Sequence, residues 1–374
     1  MQSMARHYHL LAAVLVVFAS TIIHYPGFEG YLYSDIVYIF ASRVGEVLEE
    51  GSGGLIIPGR DFYLEYPPLV WLLWLASVNL ARYFQDPLTA HYMVHAIVLG
   101  ASLVASVAAV ERLAGRERAL LAALLPSAGV YGVYNWDLLA IAPLLWGLVY
   151  LRRGRWLAGG LLIGVGGAAK LLPLVAAAPL VVRGREGLKA YSVAVAVTAV
   201  SFALVEVAAP GYIETFYRHH SNWYIEGSWL LILGDPFNER VRDAAKIASA
   251  IAVLLAVAYS RRARLALEDS LFTSITAYLL TTYLYTPQMN LFPSLLLLSS
   301  PTLAWSLVPL LQLQDLSAAA VILVWSLSTD PLNPYSPASI ATYVKCVLLF
   351  ALMIIHVYRA RNIRGLEVLY SRPS

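Results

Sequence analysis

Tyr33-Ser34-Asp35-Ile36-Val37-Tyr38-Ile39-Phe40 follows an apolar run that ends near His24, and Tyr63-Leu64-Glu65-Tyr66-Pro67-Pro68-Leu69 leads back into apolar sequence. The stretch from Tyr25 to about Thr89 is therefore not one long helix. It carries a carboxylate just past the first apolar run, then an acidic helical piece, then an aromatic and diproline re-entry. That order places chemistry at a membrane surface.

The rest of the chain sets the surroundings of that stretch. Of its 374 residues, 59% are hydrophobic and only 13% charged, against about 25% charged in soluble domains. Mean hydropathy is +0.67. Apolar runs of about 20 residues recur from end to end, so the fold class is an all-α polytopic membrane protein. It reads as a single integral membrane domain over residues 1–374, and no soluble domain can be cut from it. The net charge of +3 is too small to indicate nucleic acid as a partner. One cysteine, Cys346, excludes an internal disulfide and a cysteine-based metal site. The first apolar run resembles a signal anchor, with no small-residue cleavage site after it, and is read as retained.

Arginine sets the orientation. Basic clusters recur at Arg112/Arg116/Arg118, Arg152/Arg153/Arg155, Arg183/Arg185/Lys189, Arg261/Arg262/Arg264 and Arg359/Arg361/Arg364. The positive-inside rule puts all five in the cytoplasm. Spans between them fall near 9–25, 90–111, 118–133, 138–151, 156–170, 171–182, 190–208, 244–260, 270–285, 291–311, 316–329 and 340–357. About twelve helices result, with both termini cytoplasmic and a plasma-membrane location. Residues 67–80 are apolar but short, and a crossing there would invert every later basic loop. Parity makes them a surface helix. A second surface helix covers 35–50, with Ile36, Ile39, Phe40, Val44 and Val47 on one face and Arg43, Glu46, Glu49 and Glu50 toward water.

Two outer loops follow, 26–89 and 209–243. The first carries Glu29, Asp35, Glu46, Glu49, Glu50, Asp61, Glu65 and Asp86 against Arg43, Arg60 and Arg82. The second holds Tyr212, Tyr217, Arg218, His219, His220, Trp223, Tyr224, Glu226 and Trp229, many of them residue types that also populate an interface belt. The glycines at 159, 160, 164, 166 and 167 lie inside a span and suit close helix packing.

Several side chains in these segments are chemically equipped. Asp35 is either a helix N-cap, a role open to Ser34 as well, or a general base for a sugar hydroxyl. Glu65 is held at the mouth of a helix that two prolines start, or is a solvated loop acid. Asn135-Trp136-Asp137 opens a helix, where it caps or meets sugar hydroxyls. Lys170 interrupts an apolar stretch before Leu171-Leu172-Pro173. It either snorkels to headgroups or holds a lipid-linked phosphate, and no acid lies near it in the sequence. Arg218-His219-His220 are suited to a leaving phosphate or to lipid headgroups. His91 and His95 lie four apart without a third ligand in reach, and are read as packing residues. Thr286-Pro287-Gln288 is a turn whose Gln288 is placed to line a pocket.

Taken in order, these pieces resemble the GT-C class of membrane glycosyltransferases, which use polyprenyl-phosphate sugars. The likeness is strongest to the catalytic subunit of the glycosylphosphatidylinositol first-mannose mannosyltransferase and to bacterial polyprenol-phosphate mannosyltransferases. Tyr33-Ser34-Asp35-Ile36-Val37-Tyr38 partly meets the family's Tyr-x-Asp-Ile-Asp-Tyr stretch. Tyr66-Pro67-Pro68-Leu69 meets Tyr-(Thr/Pro)-Pro-Leu, with Glu65 where Arg is common. Asn135-Trp136-Asp137, Lys170-Leu171-Leu172-Pro173 and Thr286-Pro287-Gln288 meet the later three stretches. The likeness runs over roughly residues 30–290 and stops before about 315, so residues 315–374 have no assigned role. Val37 stands where the pattern has a second acid, so no metal or other cofactor is expected.

The resemblance implies a GT-C fold with a catalytic first outer loop. It implies hexose transfer, most simply of mannose, from a polyprenyl- or dolichyl-phosphate donor to a glycolipid, lipid-linked oligosaccharide or protein. Asp35 is the expected base. Glu65, Tyr66, Asn135, Asp137, Lys170, Arg218, His219, His220 and Gln288 are the expected substrate contacts. Membrane lipids and an accessory membrane subunit are the expected partners. The rival class is a lipid or solute transporter, which also uses broken helices and intramembrane charge; the long first outer loop and the lack of a visible inverted repeat set it second.

Overall fold

The structure, a computed structural model, describes residues 7–49, 54–325 and 327–370. The expected water-facing position of Glu50 lies outside them, as does the side chain of Arg364. The described residues form helices and no named strand. In chain order the helices are α1 (Tyr8–Ile23), α2 (Asp35–Arg43), α3 (Gly45–Glu49), α4 (Pro68–Ala81), α5 (Pro87–Ala114), α6 (Arg116–Ala123), α7 (Pro126–Tyr131), α8 (Asp137–Arg152), α9 (Trp156–Ala169), α10 (Leu172–Ala177), α11 (Gly184–Ala208), α12 (Tyr212–Asn222), α13 (Glu239–Arg262), α14 (Leu267–Thr281), α15 (Leu291–Ser299), α16 (Val308–Trp325) and α17 (Pro337–Tyr370).

Among the described residues, four helical stretches are long and apolar enough to cross a bilayer: Pro87–Ala114, Gly184–Ala208, Trp305–Trp325 and Pro337–Ile363. The protein is a multi-pass membrane protein, but most other expected spans are shorter or broken. Proline explains two of the breaks. Pro126 splits the expected 118–133 span into α6 and α7, because it cannot donate into the preceding turn. Residues 171–182 become α10 and a 3-10 turn holding Pro179.

The expected break between spans 291–311 and 316–329 is misplaced. Helix α15 stops at Ser299, just before Pro301, and α16 runs through Gln314 and Asp315 without a break. A charge in an apolar run reads as a span end in sequence. Here Asp315 is fully buried and accepts hydrogen bonds from Ser127 N (2.8 Å), Ser127 Oγ (2.7 Å), Ser294 Oγ (2.8 Å) and Asn290 Nδ2 (3.0 Å). Partners on α7, on α15 and just before α15 make a mid-helix carboxylate tolerable.

The basic connections gather at one end of the helical body. Arg118 Nη2 donates to Leu303 O at 2.7 Å, Arg183 Nη2 to Ala266 O at 3.2 Å and Arg359 Nη1 to Ser306 Oγ at 3.4 Å. Arg152 pairs with Glu268 at 3.1 Å. Helices α8, α9 and α14 run from this end to the opposite one, where residues 135–137, 169–172 and 282–288 meet. The glycines of α9 let α11 approach closely: a Cβ on Gly160 would lie 2.3 Å from the carbonyl oxygen of Ala190.

The first loop is more deeply packed than a surface helix pair. Residues 35–49 form two helices that part near Val44. Helix α4 buries Val70, Trp71, Trp74, Ser77, Val78 and Ala81 while Leu72 and Leu80 stay exposed. The tilted rings of Trp74 and His91 pack with centroids 4.4 Å apart, and Trp136 Nε1 donates to His95 Nδ1 at 2.8 Å. His91 and His95 are thus core packing residues that tie α4 and α8 to α5.

Candidate active site

Asp35 begins α2 but does not cap it. Neither Ser34 nor Asp35 bonds the first-turn amides. Ser34 Oγ donates instead to Tyr134 O at 3.1 Å, and the Asp35 carboxylate accepts from Asn135 Nδ2. The ring of His24 fastens the approach, with Nδ1 3.0 Å from Leu32 O and Nε2 2.7 Å from Val130 O. The capping explanation therefore gives way to a contact between residues a hundred apart. Burial pushes the Asp35 carboxyl up to about 6, against the hydrogen bonds from Tyr33 and Asn135 and the charge of Lys170, which pull it down.

Asp35 opens on a cavity of about 790 Å³, within the usual range for a small-ligand site. Its wall also includes Glu65, Tyr66, Asn135, Lys170, His219, His220 and Gln288. Residues from both outer loops, the α7–α8 turn, the α9 end and the 286–288 turn thus share one chamber. Its floor is apolar, with Leu172, Val175, Val321, Ile322 and Trp325.

Four expectations change on contact with the structure. Lys170 is not without an acid: its Nζ lies 2.7 Å from Asp137 Oδ1. Asp137 itself is only 1% exposed and sits behind the lysine rather than on the cavity wall. The pairing spans 33 residues, beyond any local reading of the sequence. Arg218 points away: it is 72% exposed, pairs with Glu214 one turn earlier and does not line the cavity. On α12 it lies on the face opposite Phe216 and His220, which do. Arg43, read as facing water, turns inward and clasps Glu65, Nη2 to Oε1 at 3.2 Å and Nη1 to Oε2 at 2.5 Å. The spacing Asp35, Ile39, Arg43 is one helical stripe, and all three line the cavity. That stripe was the signal available in sequence.

Glu65 also joins the two outer loops. His219 Nε2 lies 3.7 Å from Glu65 Oε1, and its Nδ1 lies 2.9 Å from Tyr63 Oη. Tyr212 Oη donates to Tyr66 O at 2.7 Å, and Tyr283 Oη to His220 O at 2.7 Å. Burial lowers the affinity of His219 and His220 for a proton. Both are then largely neutral at neutral pH, which leaves Arg43 and Lys170 as the basic side chains of the chamber wall among the described residues.

A model of a protein family, described as glycosyltransferase family 87, matches residues 63–287, more than half of the chain. The chain belongs to glycosyltransferase family 87. This bears out the expected membrane glycosyltransferase and sets the transporter aside. The family match covers Glu65, Tyr66, Asn135, Lys170, His219, His220 and the 286–287 turn, and starts after Asp35. No curated protein matches the chain. Similar solved structures include ArnT from Cupriavidus metallidurans in the apo state, at 15% identity, and the same protein bound to undecaprenyl phosphate, at 16%. Each alignment covers 96% of this chain and 78% of that one, with a TM-score of 0.43.

Proposed function

We propose that this family 87 enzyme moves a hexose, mannose in the simplest case, from a polyprenyl-phosphate carrier to a hydroxyl of a glycolipid, lipid-linked oligosaccharide or protein at the extracytoplasmic face. The observation that carries the reading is the meeting of Asp35 and Lys170 in one chamber with an apolar floor. A carboxylate that can take a proton, a cation that can face a phosphate, and a greasy wall are the three parts this reaction needs.

In this reading Asp35 accepts the acceptor hydroxyl's proton as the new carbon–oxygen bond forms at the anomeric carbon. The bond from that carbon to the phosphate oxygen breaks, and the electron pair leaves with the polyprenyl phosphate. A single displacement inverts the anomeric centre. Lys170, turned partly from Asp137, stabilises the departing charge, with neutral His219 as a hydrogen-bond donor; the one N–H of neutral His220 is already given by Nδ1 to Phe216 O at 2.8 Å. Arg43 contributes through its exposed edge. The apolar residues Leu172, Val175, Val321, Ile322 and Trp325 receive the first isoprene units of the carrier. The cavity's end of the helical body faces outward, because the basic connections lie at the other end and favour the cytoplasm. In this reading the protein sits in the plasma membrane with both termini inside.

Membranes containing the protein are incubated with radiolabelled polyprenyl-phosphate mannose. Extracted lipid and protein are then examined for label. Transfer that depends on Asp35 supports the reading. No transfer of label, with mannose, glucose and galactose donors all tried, overturns the donor class.

A further inference from the structure

Glu226 is the acid of the cavity that proton transfer and phosphate binding leave unused. Glu65 is tied to Arg43, Asp137 to Lys170 and Asp35 to Asn135. Glu226 Oε2 accepts from Trp223 Nε1 at 2.7 Å, and Oε1 has no hydrogen-bond partner among the described residues.

The backbone holding Glu226 is unusually well fixed. Its N–H donates to Tyr283 O at 3.0 Å, and its carbonyl accepts from Tyr285 N at 2.9 Å, a short bridge between the second outer loop and the segment after α14. Gly227 follows with φ +61°, and a Cβ there would lie 2.2 Å from the carbonyl oxygen of Tyr285, so this close approach requires glycine. Lys345 of α17, fully buried, donates to Gly227 O at 2.9 Å and to Tyr285 O at 2.7 Å. A helix with no role assigned from sequence therefore clasps both sides of the bridge.

The bridge leads directly into Thr286 and Gln288, which line the same cavity. Both are buried, and Thr286 Oγ1 and Gln288 Oε1 have no hydrogen-bond partner among the described residues. Polar groups left unpaired in a wall are costly unless a ligand meets them. Beside them the rings of Trp223 and Tyr224 stack on one another, 5.1 Å apart and 20° from parallel, and both line the cavity. Burial, with Asp35 nearby, lifts the Glu226 carboxyl to about 7, and once ionised it repels phosphate. It accepts short hydrogen bonds from neutral hydroxyls, and an aromatic surface suits the apolar face of a sugar ring.

We propose that Glu226, Thr286 and Gln288, flanked by Trp223 and Tyr224, form a subsite for the hydroxyls of a hexopyranose ring. Lys345 and Gly227 act as positioning residues for it. The proposal rests on the reading of this cavity as a glycosyl-transfer site and adds to it a place for the sugar itself. Whether the ring belongs to the donor or the acceptor is a matter of which Michaelis constant the subsite controls.

The test uses full-length protein in lipid nanodiscs prepared without glycoside detergents. Methyl α-D-mannoside, glucoside and galactoside are titrated by saturation-transfer NMR, at a pH above the ionisation of Glu226, on wild type and on Glu226→Gln, Trp223→Phe and Arg218→Ala. Glu226→Gln should weaken binding of one of them about tenfold or more, as for loss of a charged hydrogen bond. Trp223→Phe, which keeps a ring but not the N–H, should weaken it less. Arg218→Ala, exposed and off the cavity, should bind as wild type. In transfer assays with radiolabelled polyprenyl-phosphate mannose and octyl α-D-mannoside, Glu226→Gln should raise one Michaelis constant by a similar factor: the donor's if the ring is the donor sugar, the acceptor's if it is the acceptor. No saturable glycoside binding by wild type, or equal binding by Glu226→Gln, overturns the subsite. So does a fall in kcat alone with both constants unmoved. If wild type transfers nothing while Glu226→Gln still loses glycoside binding, the subsite stands and the proposed donor reaction falls.

Discussion

Replacing Asp35 by Asn removes the proposed base while keeping the side chain's size and an oxygen to accept from Asn135. Stability and rate should then move in opposite directions. Burial raises the folded-state carboxyl from 3.8 to about 6. The folded protein thus holds this proton more tightly than the unfolded chain does. The penalty for ionising Asp35 is absent below the unfolded value, grows as pH rises between the two values, and is fully present above the folded one. At 1.36 kcal/mol per pH unit the rise from 3.8 to about 6 bounds it at about 3 kcal/mol. The half-buried setting of Asp35 makes the real figure smaller. At about pH 7.5 the Asn variant should therefore be as stable as wild type or more so, and the difference should vanish toward about pH 4. Transfer should fall about 10²-fold or more. For wild type, kcat/KM should climb with pH and reach half its plateau near 6, the ionisation of Asp35, and the Asn variant's residual rate should lack that acid limb. Thermal unfolding in detergent and label transfer from polyprenyl-phosphate mannose measure the two quantities. Near-wild-type transfer by the variant, or an acid limb that survives in it, refutes Asp35 as base.

Other substitutions separate the roles around it. Lys170→Met should not fold as well as wild type, since it strands the buried Asp137 carboxylate; breaking such a pair costs about 3–5 kcal/mol, and Lys170→Met/Asp137→Leu should recover much of the lost unfolding temperature. An unchanged unfolding temperature in Lys170→Met would show the pair to be unimportant. Arg218→Ala should leave transfer and unfolding within error of wild type, because the residue is exposed and off the cavity; a clear loss of donor affinity would return it to the phosphate site. Gly227→Ala should lower unfolding temperature and transfer together, and a silent variant would deny that the Glu226 bridge needs its close approach to Tyr285. Glu65→Gln should loosen Arg43 and His219 at once, seen as faster proteolysis of the 209–243 loop, while unchanged proteolysis would mean that other contacts hold the two outer loops together.

Composition and local spacing alone carried a great deal. The sparse charge and recurring apolar runs determined an all-helical membrane protein. The arginine clusters marked the connections that the tertiary contacts later gathered at one end. Short motifs around Asp35, Glu65, Asn135, Lys170 and Gln288 named most of one cavity wall, because each is a backbone punctuation, a turn or helix start, written in adjacent residues. Tertiary structure decided everything that depends on partners far along the chain. Lys170 acquired Asp137, Arg43 turned in to Glu65, and Asp315 became tolerable inside a helix through α7 and the start of α15. Arg218 was turned out of the site by the face of α12 that packs. Glu226 gained its place from Lys345, 119 positions later in the sequence. The physical reason is common to all five. Burying a charge is favourable only when specific groups meet it in space, and the packing of distant helices, not spacing along the chain, decides which groups those are.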